Sequence, residues 1–290
     1  MSIRLIKQIK TAVSNLHPDE VRAAANRPLA IGLVSTSSAG YGEMEDFLAP
    51  SGVSREKRME IMYMLHRAGD PGIPERFDVV LHDREIPPGR NAFYFDPARP
   101  QRTVRDVLEA RQELGLTLAR HFAPFRAAVV SRTIHTIAKE NALFALATAL
   151  PNVLPSLIEI PWAIGEFASD TAFLTMNQVR MAFLIAAASD SPVGYREQKA
   201  EIASLVAGAF GWRTLARELV GKIPLGGGLI PKGAVAFAGT YVVGLTLERY
   251  HLDGYGLTRL ERREAYDAAL REGGSVTRML LAGMKKVDAA

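Results

Sequence analysis

Cysteine does not occur in the 290 residues, so disulfides, thiolate metal sites and cysteine nucleophiles are excluded. That absence is compatible with a reducing cytoplasm. An excess of one charge is lacking too. Lysine and arginine total 35 against 31 acidic residues, a net charge of +4, which leans toward an anionic membrane surface and falls short of a nucleic-acid footprint. The N-terminal stretch has neither the long apolar core nor the small-residue cleavage site of a secretory signal, so the chain is expected to start in the cytoplasm. No repeat period and no low-complexity tract appears. The six histidines, His17, His66, His82, His121, His135 and His251, are scattered without metal-ligand spacing, so neither a metal nor a cofactor is expected. No Gly-x-Ser-x-Gly elbow is present.

Uninterrupted apolar runs are also missing. A free transmembrane helix needs about 20 of them in a row. The stretch from Asn141 to Gly165 carries a single charge, Glu159, but is cut by Pro151, Pro155 and Pro161. The run between Lys232 and Glu248 is unbroken and only about 15 residues long. These read as buried or re-entrant corners.

What the chain does have is 48% hydrophobic residues, ample for a core in one large or two modest domains. Leu5, Ile6, Ile9, Ala12, Val13 and Leu16 share one helical face, with Arg4, Lys7 and Lys10 opposite. Such a stripe either anchors on anionic lipid or docks on the chain's own core.

Residues 28–34 read as a buried strand, Ser35 to Gly42 as a loop, and Glu43 to Leu48 as a helix start. Backbone N–H groups and the helix dipole favour an anion at such a junction, which makes Ser37, Ser38, Gly40 and Gly42 candidate nucleotide-binding residues. The Gly-Lys-Ser/Thr of a Walker loop is absent, however, and Glu43, Glu45 and Asp46 put negative charge there. Ser54 to Ala68 is expected as a helix with Ser54 at its N-cap. Strands follow at Phe77–Asp83 and Asn91–Asp96, and then a long polar helix from Arg102 to Arg120. His82 and Asp83 point to opposite faces of a strand and do not form a catalytic pair unaided.

The second half is helical. Helices are expected over Pro124–Leu150, Ala163–Ala188, Tyr195–Lys222, Lys232–Tyr250 and Thr258–Glu272. Ala236, Thr240 and Gly244 recur every fourth residue and form a face with almost no bulk, suited to close helix contact or homo-oligomerisation. Glu159, Glu166 and Asp170 are expected to pair with Arg180, Arg213 and Arg217. Lys232, after the triplet Gly226, Gly227 and Gly228, would either hold a lipid phosphate or snorkel from a Gly-rich hinge. The expected fold is α+β and mainly α. It comprises an N-terminal helix (1–27), a small three-stranded head (28–120), an apolar helical domain (121–275) and a flexible tail (276–290).

Leu150-Pro151 with the later prolines, Asp170, Gln178, Pro224, Gly226 to Gly228, Lys232, Ala238-Gly239-Thr240, Gly244, Tyr250 and Gly254 carry a resemblance. Over residues 150–254 the chain resembles the bacterial YcjF-type domain of unknown function, which is often found behind an Era-like GTPase domain. The resemblance implies a membrane-proximal accessory domain, with residues 28–120 standing where a GTPase would be. That segment lacks the phosphate-loop lysine, an Asp-x-x-Gly switch and an Asn-Lys-x-Asp guanine reader, which makes it a degenerate head. The leading expectation is a non-enzymatic membrane-associated scaffold or regulator. Its partners would be membrane lipids or a membrane protein and not nucleic acid, and its place peripheral or shallowly inserted at the inner membrane. The alternatives are a nucleotide-binding switch using Ser35 to Gly42, and a soluble cytoplasmic helical enzyme with an acidic site.

Overall fold

The structure is a computed structural model that describes residues 3–83, 89, 91–149, 170–208 and 228–287. It is mainly α with one small sheet, and it divides into two compact units. The first comprises residues 1–19, 132–186 and 192–290, and the second residues 20–131 and 187–191.

The second unit holds the sheet. Its strands are β1 (Ile31–Val34), β2 (Leu65–Arg67), β3 (Val79–His82) and β4 (Ala92–Tyr94), ordered β2-β1-β3-β4. All pairings are parallel, with Ile31 opposite both Leu65 and Val79, and Val80 opposite Ala92. Three of the four residues of β1 are buried, as expected of a parallel strand covered on both faces. Four strands stand where three were expected. The addition is β2, which ends the helix expected to reach Ala68. Residues Arg55–Met64 are helical (Ser54 caps them by accepting from the Lys57 N–H at 3.1 Å), and Leu65–Arg67 turn extended to pair with β1. Three ladder residues suffice because the partner strand, not local propensity, supplies the hydrogen bonds.

With α1 (Ile3–Ser14) and α2 (Pro18–Ala25) numbered first, the head's helices are α3 (Ser38–Leu48), α4 (Arg55–Met64), α5 (Pro100–Ala110) and α6 (Gly115–His121). The single polar helix expected over Arg102–Arg120 is broken. Arg111 leaves helical geometry (φ −130°, ψ 56°), and a 3₁₀ turn spans Gln112–Leu114 before α6. The Arg111 guanidinium donates to the Asp78 carbonyl and pairs with Glu113 at 2.7 Å. Beyond the break, Thr117 donates to the Arg27 carbonyl at 2.8 Å.

The first unit is helical. It holds α1, most of α7 (Ala123–Ala147), α8 (Asp170–Ala188), α9 (Leu229–Asp253) and α10 (Arg259–Val287), with a further helical stretch at residues 199–208. The apolar stripe of α1 docks on this unit's own core: Leu5, Ile9, Ala12 and Val13 are buried, and the Tyr195 hydroxyl lies 2.6 Å from the Val13 carbonyl and 2.8 Å from that of Leu16. Lys7 and Lys10 stay exposed. The Arg4 side chain lies outside the described ones. Helices α9 and α10 pack tightly because glycine removes bulk at the contact. A Cβ on Gly233 would meet the Thr277 hydroxyl at 2.7 Å, and one on Gly273 the Ala234 carbonyl at 2.9 Å. Ala138, Ala142, Phe237 and Val276 form a buried cluster here, and Phe144 stacks on Phe173 with ring centroids 3.8 Å apart. The segment expected as a loose tail is helical to Val287.

Candidate functional site

In an open parallel sheet of this order the chain leaves β1 toward β2 and later returns on the other side as β3. The crevice at the carboxyl ends of β1 and β3 is therefore the topological switch point, where ligands of such folds bind. Ser35 follows β1 and Asp83 follows β3. Their side chains meet: the Ser35 hydroxyl donates to Asp83 Oδ2 at 2.6 Å, and the Thr36 N–H reaches the same oxygen at 3.2 Å.

The loop expected over Ser35 to Gly42 is mostly helix. Ser37 caps α3 by accepting from the Gly40 N–H at 3.1 Å, and Ser38, Gly40 and Gly42 lie in the first turns. Ser, Gly and Tyr are weak helix formers, so the sequence reads as loop. The N-cap and the packing against Asp83 override that bias. Gly40 is required there, because a Cβ would lie 2.3 Å from the Ser35 hydroxyl, whereas a Cβ on Gly42 would meet nothing within 4 Å. Of the acids weighed against an anion, Glu45 is held by Arg67 through two bonds of 2.6 and 2.8 Å, and Asp46 faces Arg58 at 3.4 Å. The negative charge at the crevice is instead that of Asp83, which takes the place a ligand phosphate would need. His82 is buried and bonded through Nδ1 to the Asp83 carbonyl at 2.8 Å, so that nitrogen is occupied by the backbone.

In the helical unit the small-residue face is filled by the chain itself. A Cβ on Gly244 would approach Ile134 to 2.7 Å, and Thr240, fully buried, accepts from the Asn141 amide at 2.8 Å. Asn177 donates to Asn141 at 2.9 Å, and Arg180 pairs with Glu140. Arg180 was expected to pair with Glu159, Glu166 or Asp170. Among the described residues Arg180 pairs with Glu140, 40 positions earlier on α7, a juxtaposition that spacing alone does not reveal, while the expected partners Glu159 and Glu166 lie outside those residues. Asp170 pairs with Lys232 at 3.1 Å, and Thr148 bonds both, at 3.2 and 3.0 Å. Lys232 is thus engaged by a carboxylate. Gly228 is the N-cap of α9. Glu159, Glu166, Arg213, Arg217, Gly226 and Gly227 lie outside the described residues. Among the described residues no three acids or histidines gather as metal ligands.

Comparison with protein-family models, curated proteins and solved structures finds no match.

One feature escaped the sequence reasoning. The turn from α9 into α10 leaves four large apolar residues exposed: Tyr250 is 44% exposed, Leu252 60%, Tyr255 59% and Leu260 66%. The turn is fixed. Gly254 ends α9 in the left-handed region (φ 81°), and Thr258 with Glu261 forms a reciprocal capping box at 2.8 and 3.3 Å. Those bonds to Thr258 hold the Glu261 carboxyl below its usual range. Arg249 pairs with Asp253 at 3.3 Å and Glu261 at 3.5 Å, and its guanidinium lies 5.9 Å from the Tyr255 ring centroid. Both carboxylates at the turn thus share one guanidinium. Arg259 and Arg263 are exposed beside it, without an ion pair among the described residues. Tyr-x-Leu…Tyr…Leu around a Gly was the available signal, but sequence alone could not tell whether those side chains face the core.

Proposed function

We propose that the protein is a non-enzymatic scaffold or regulator that associates peripherally with the cytoplasmic face of a membrane through the α9–α10 turn. The supporting observation is that turn. Two tyrosines and two leucines are held exposed on a rigid, doubly capped corner, beside arginines that complement an anionic headgroup layer. Tyrosine suits that layer because its ring is apolar and its hydroxyl wet. Large apolar side chains left exposed around one turn are the kind of feature that marks an interaction surface. The resemblance of residues 150–254 to the YcjF-type domain agrees with this reading.

The test is cosedimentation with phosphatidylserine-containing vesicles. Wild-type protein is expected to sediment, and the variant L252S/L260S to stay largely in the supernatant with an unchanged circular-dichroism spectrum. Equal sedimentation of the two would remove the turn from the contact.

The head we read as a nucleotide-free remnant. Asp83 competes with any phosphate for the Thr36 N–H, and among the described residues no lysine stands ready to offset it. Calorimetric titration with GTP or ATP is expected to show no saturable binding at the switch point. Micromolar binding abolished by a bulky residue at Gly40 would refute this.

A further inference from the structure

The head contains a polar cavity away from the switch point. A cavity of about 280 Å³ is lined by Val53, Ser54, Lys57, His121, Ala123, Arg126, Ser189 and Asp190. Three cations stand at or beside it, Lys57, Arg120 and Arg126, against two carboxylates, Glu60 and Asp190. Both carboxylates are engaged. Asp190, held in the left-handed region at φ 57°, reaches Lys57 at 2.9 Å and Arg120 at 3.5 Å. Glu60 bonds Lys57 at 3.2 Å and His121 Nδ1 at 2.8 Å. Arg126 is the cation left over. Its Nε donates to the Ala188 carbonyl at 3.0 Å, and among the described residues it has no ion pair. Burial pushes its pKa down, and the nearby Asp190 carboxylate opposes that shift without closing to an ion pair. Arg126 also lies in the first turn of α7, and Ser54 caps the first turn of α4, which holds Lys57. Two helix N-termini therefore add partial positive charge to the same cavity.

We infer that this cavity binds a small oxyanion, a phosphate or compact phosphate ester, through the guanidinium of Arg126. The guanidinium fork matches a phosphate bidentately. A volume at the lower end of small-molecule pockets excludes a nucleotide lying wholly inside. Lys57 and Arg120, already paired with Glu60 and Asp190, position the rim and set the field. The site is independent of the membrane reading above.

The probe is inorganic phosphate, titrated calorimetrically into the full chain at constant ionic strength. Saturable one-to-one binding is expected, weakened about tenfold or more in R126Q and partly restored in R126K. S189D puts a carboxylate on the cavity wall, and is expected to abolish phosphate binding and to raise Tm by satisfying Arg126 internally. It supplies the answer even if R126Q fails to fold. Lipid phosphate shares this chemistry with soluble phosphate esters. If R126Q also sediments less with phosphatidate vesicles the source is a headgroup, and unchanged sedimentation assigns a soluble compound. No saturation up to about 10 mM phosphate, or equal affinity in wild type, R126Q and S189D, overturns the proposal.

Discussion

Burial lifts the Glu248 carboxyl above its ordinary value of 4.5, and among the described residues no charged partner opposes the shift. The folded chain therefore holds this proton more tightly than the unfolded chain does. The resulting stability is fully present below the unfolded pKa and is lost as pH rises through the folded one. At neutral pH ionised Glu248 is a net cost, so E248Q is expected to raise Tm near pH 7, with the gain vanishing toward about pH 4. A gain independent of pH would show that charge is not the cause. Gly244 makes the opposite kind of demand. An added methyl would lie 2.7 Å from two carbons of Ile134, so G244A should cost about 1–3 kcal/mol in denaturant unfolding. Ile134→Ala opens that space. Its own cost should shrink in the G244A background, and strict additivity of the two changes would deny the contact.

At the scale of the element, the parts legible in the sequence were those whose signals are local. Ser54 as an N-cap, the apolar stripe of α1 and the strands around residues 77–83 and 91–96 were readable from capping chemistry and period alone. The elements misjudged were decided by partners distant in sequence. Leu65–Arg67 is a strand because β1 lies beside it, and the long polar helix breaks at Arg111, whose side chain is engaged by Asp78 and Glu113. The candidate sites follow the same rule. Lys232 and Asp170 were singled out separately and meet, whereas Ser35 with Asp83, Glu140 with Arg180, and the cavity around Arg126 join residues that no spacing connects. Helix α3 gives the sharpest test of such long-range control. Gly40→Ala would drive a methyl onto the Ser35 hydroxyl and disturb its bond to Asp83, at a cost of about 1–3 kcal/mol. S35A removes that hydroxyl, so G40A should be better tolerated in the S35A background. An equal cost in both backgrounds would show that the penalty arises elsewhere.

For the whole molecule, the question is how apolar helices are shared between a core and a membrane. Among the described residues two helices, α8 and α9, are long and apolar enough to cross a bilayer by length and composition, and their most apolar windows are 78% and 56% buried in the chain's own fold. A helix that spends its apolar surface on neighbouring side chains has little left for lipid, and α8 carries Asn177 and Gln178 into the same interior. On the proposed reading the membrane is therefore touched and not crossed. Contact comes from the α9–α10 turn, assisted by exposed lysines such as Lys7 and Lys10 on the outer face of α1. Each lysine near an anionic surface contributes about 1 kcal/mol at low ionic strength, so K7Q/K10Q should weaken vesicle binding by about thirtyfold. The difference between variant and wild type should fade as salt shortens the screening length. Alkaline carbonate should release the membrane-bound protein. Resistance to carbonate, together with protease mapping that places Lys199 and Lys285 on opposite sides of the bilayer, would mean that α8 or α9 leaves the bundle to span, and the peripheral reading would then fail.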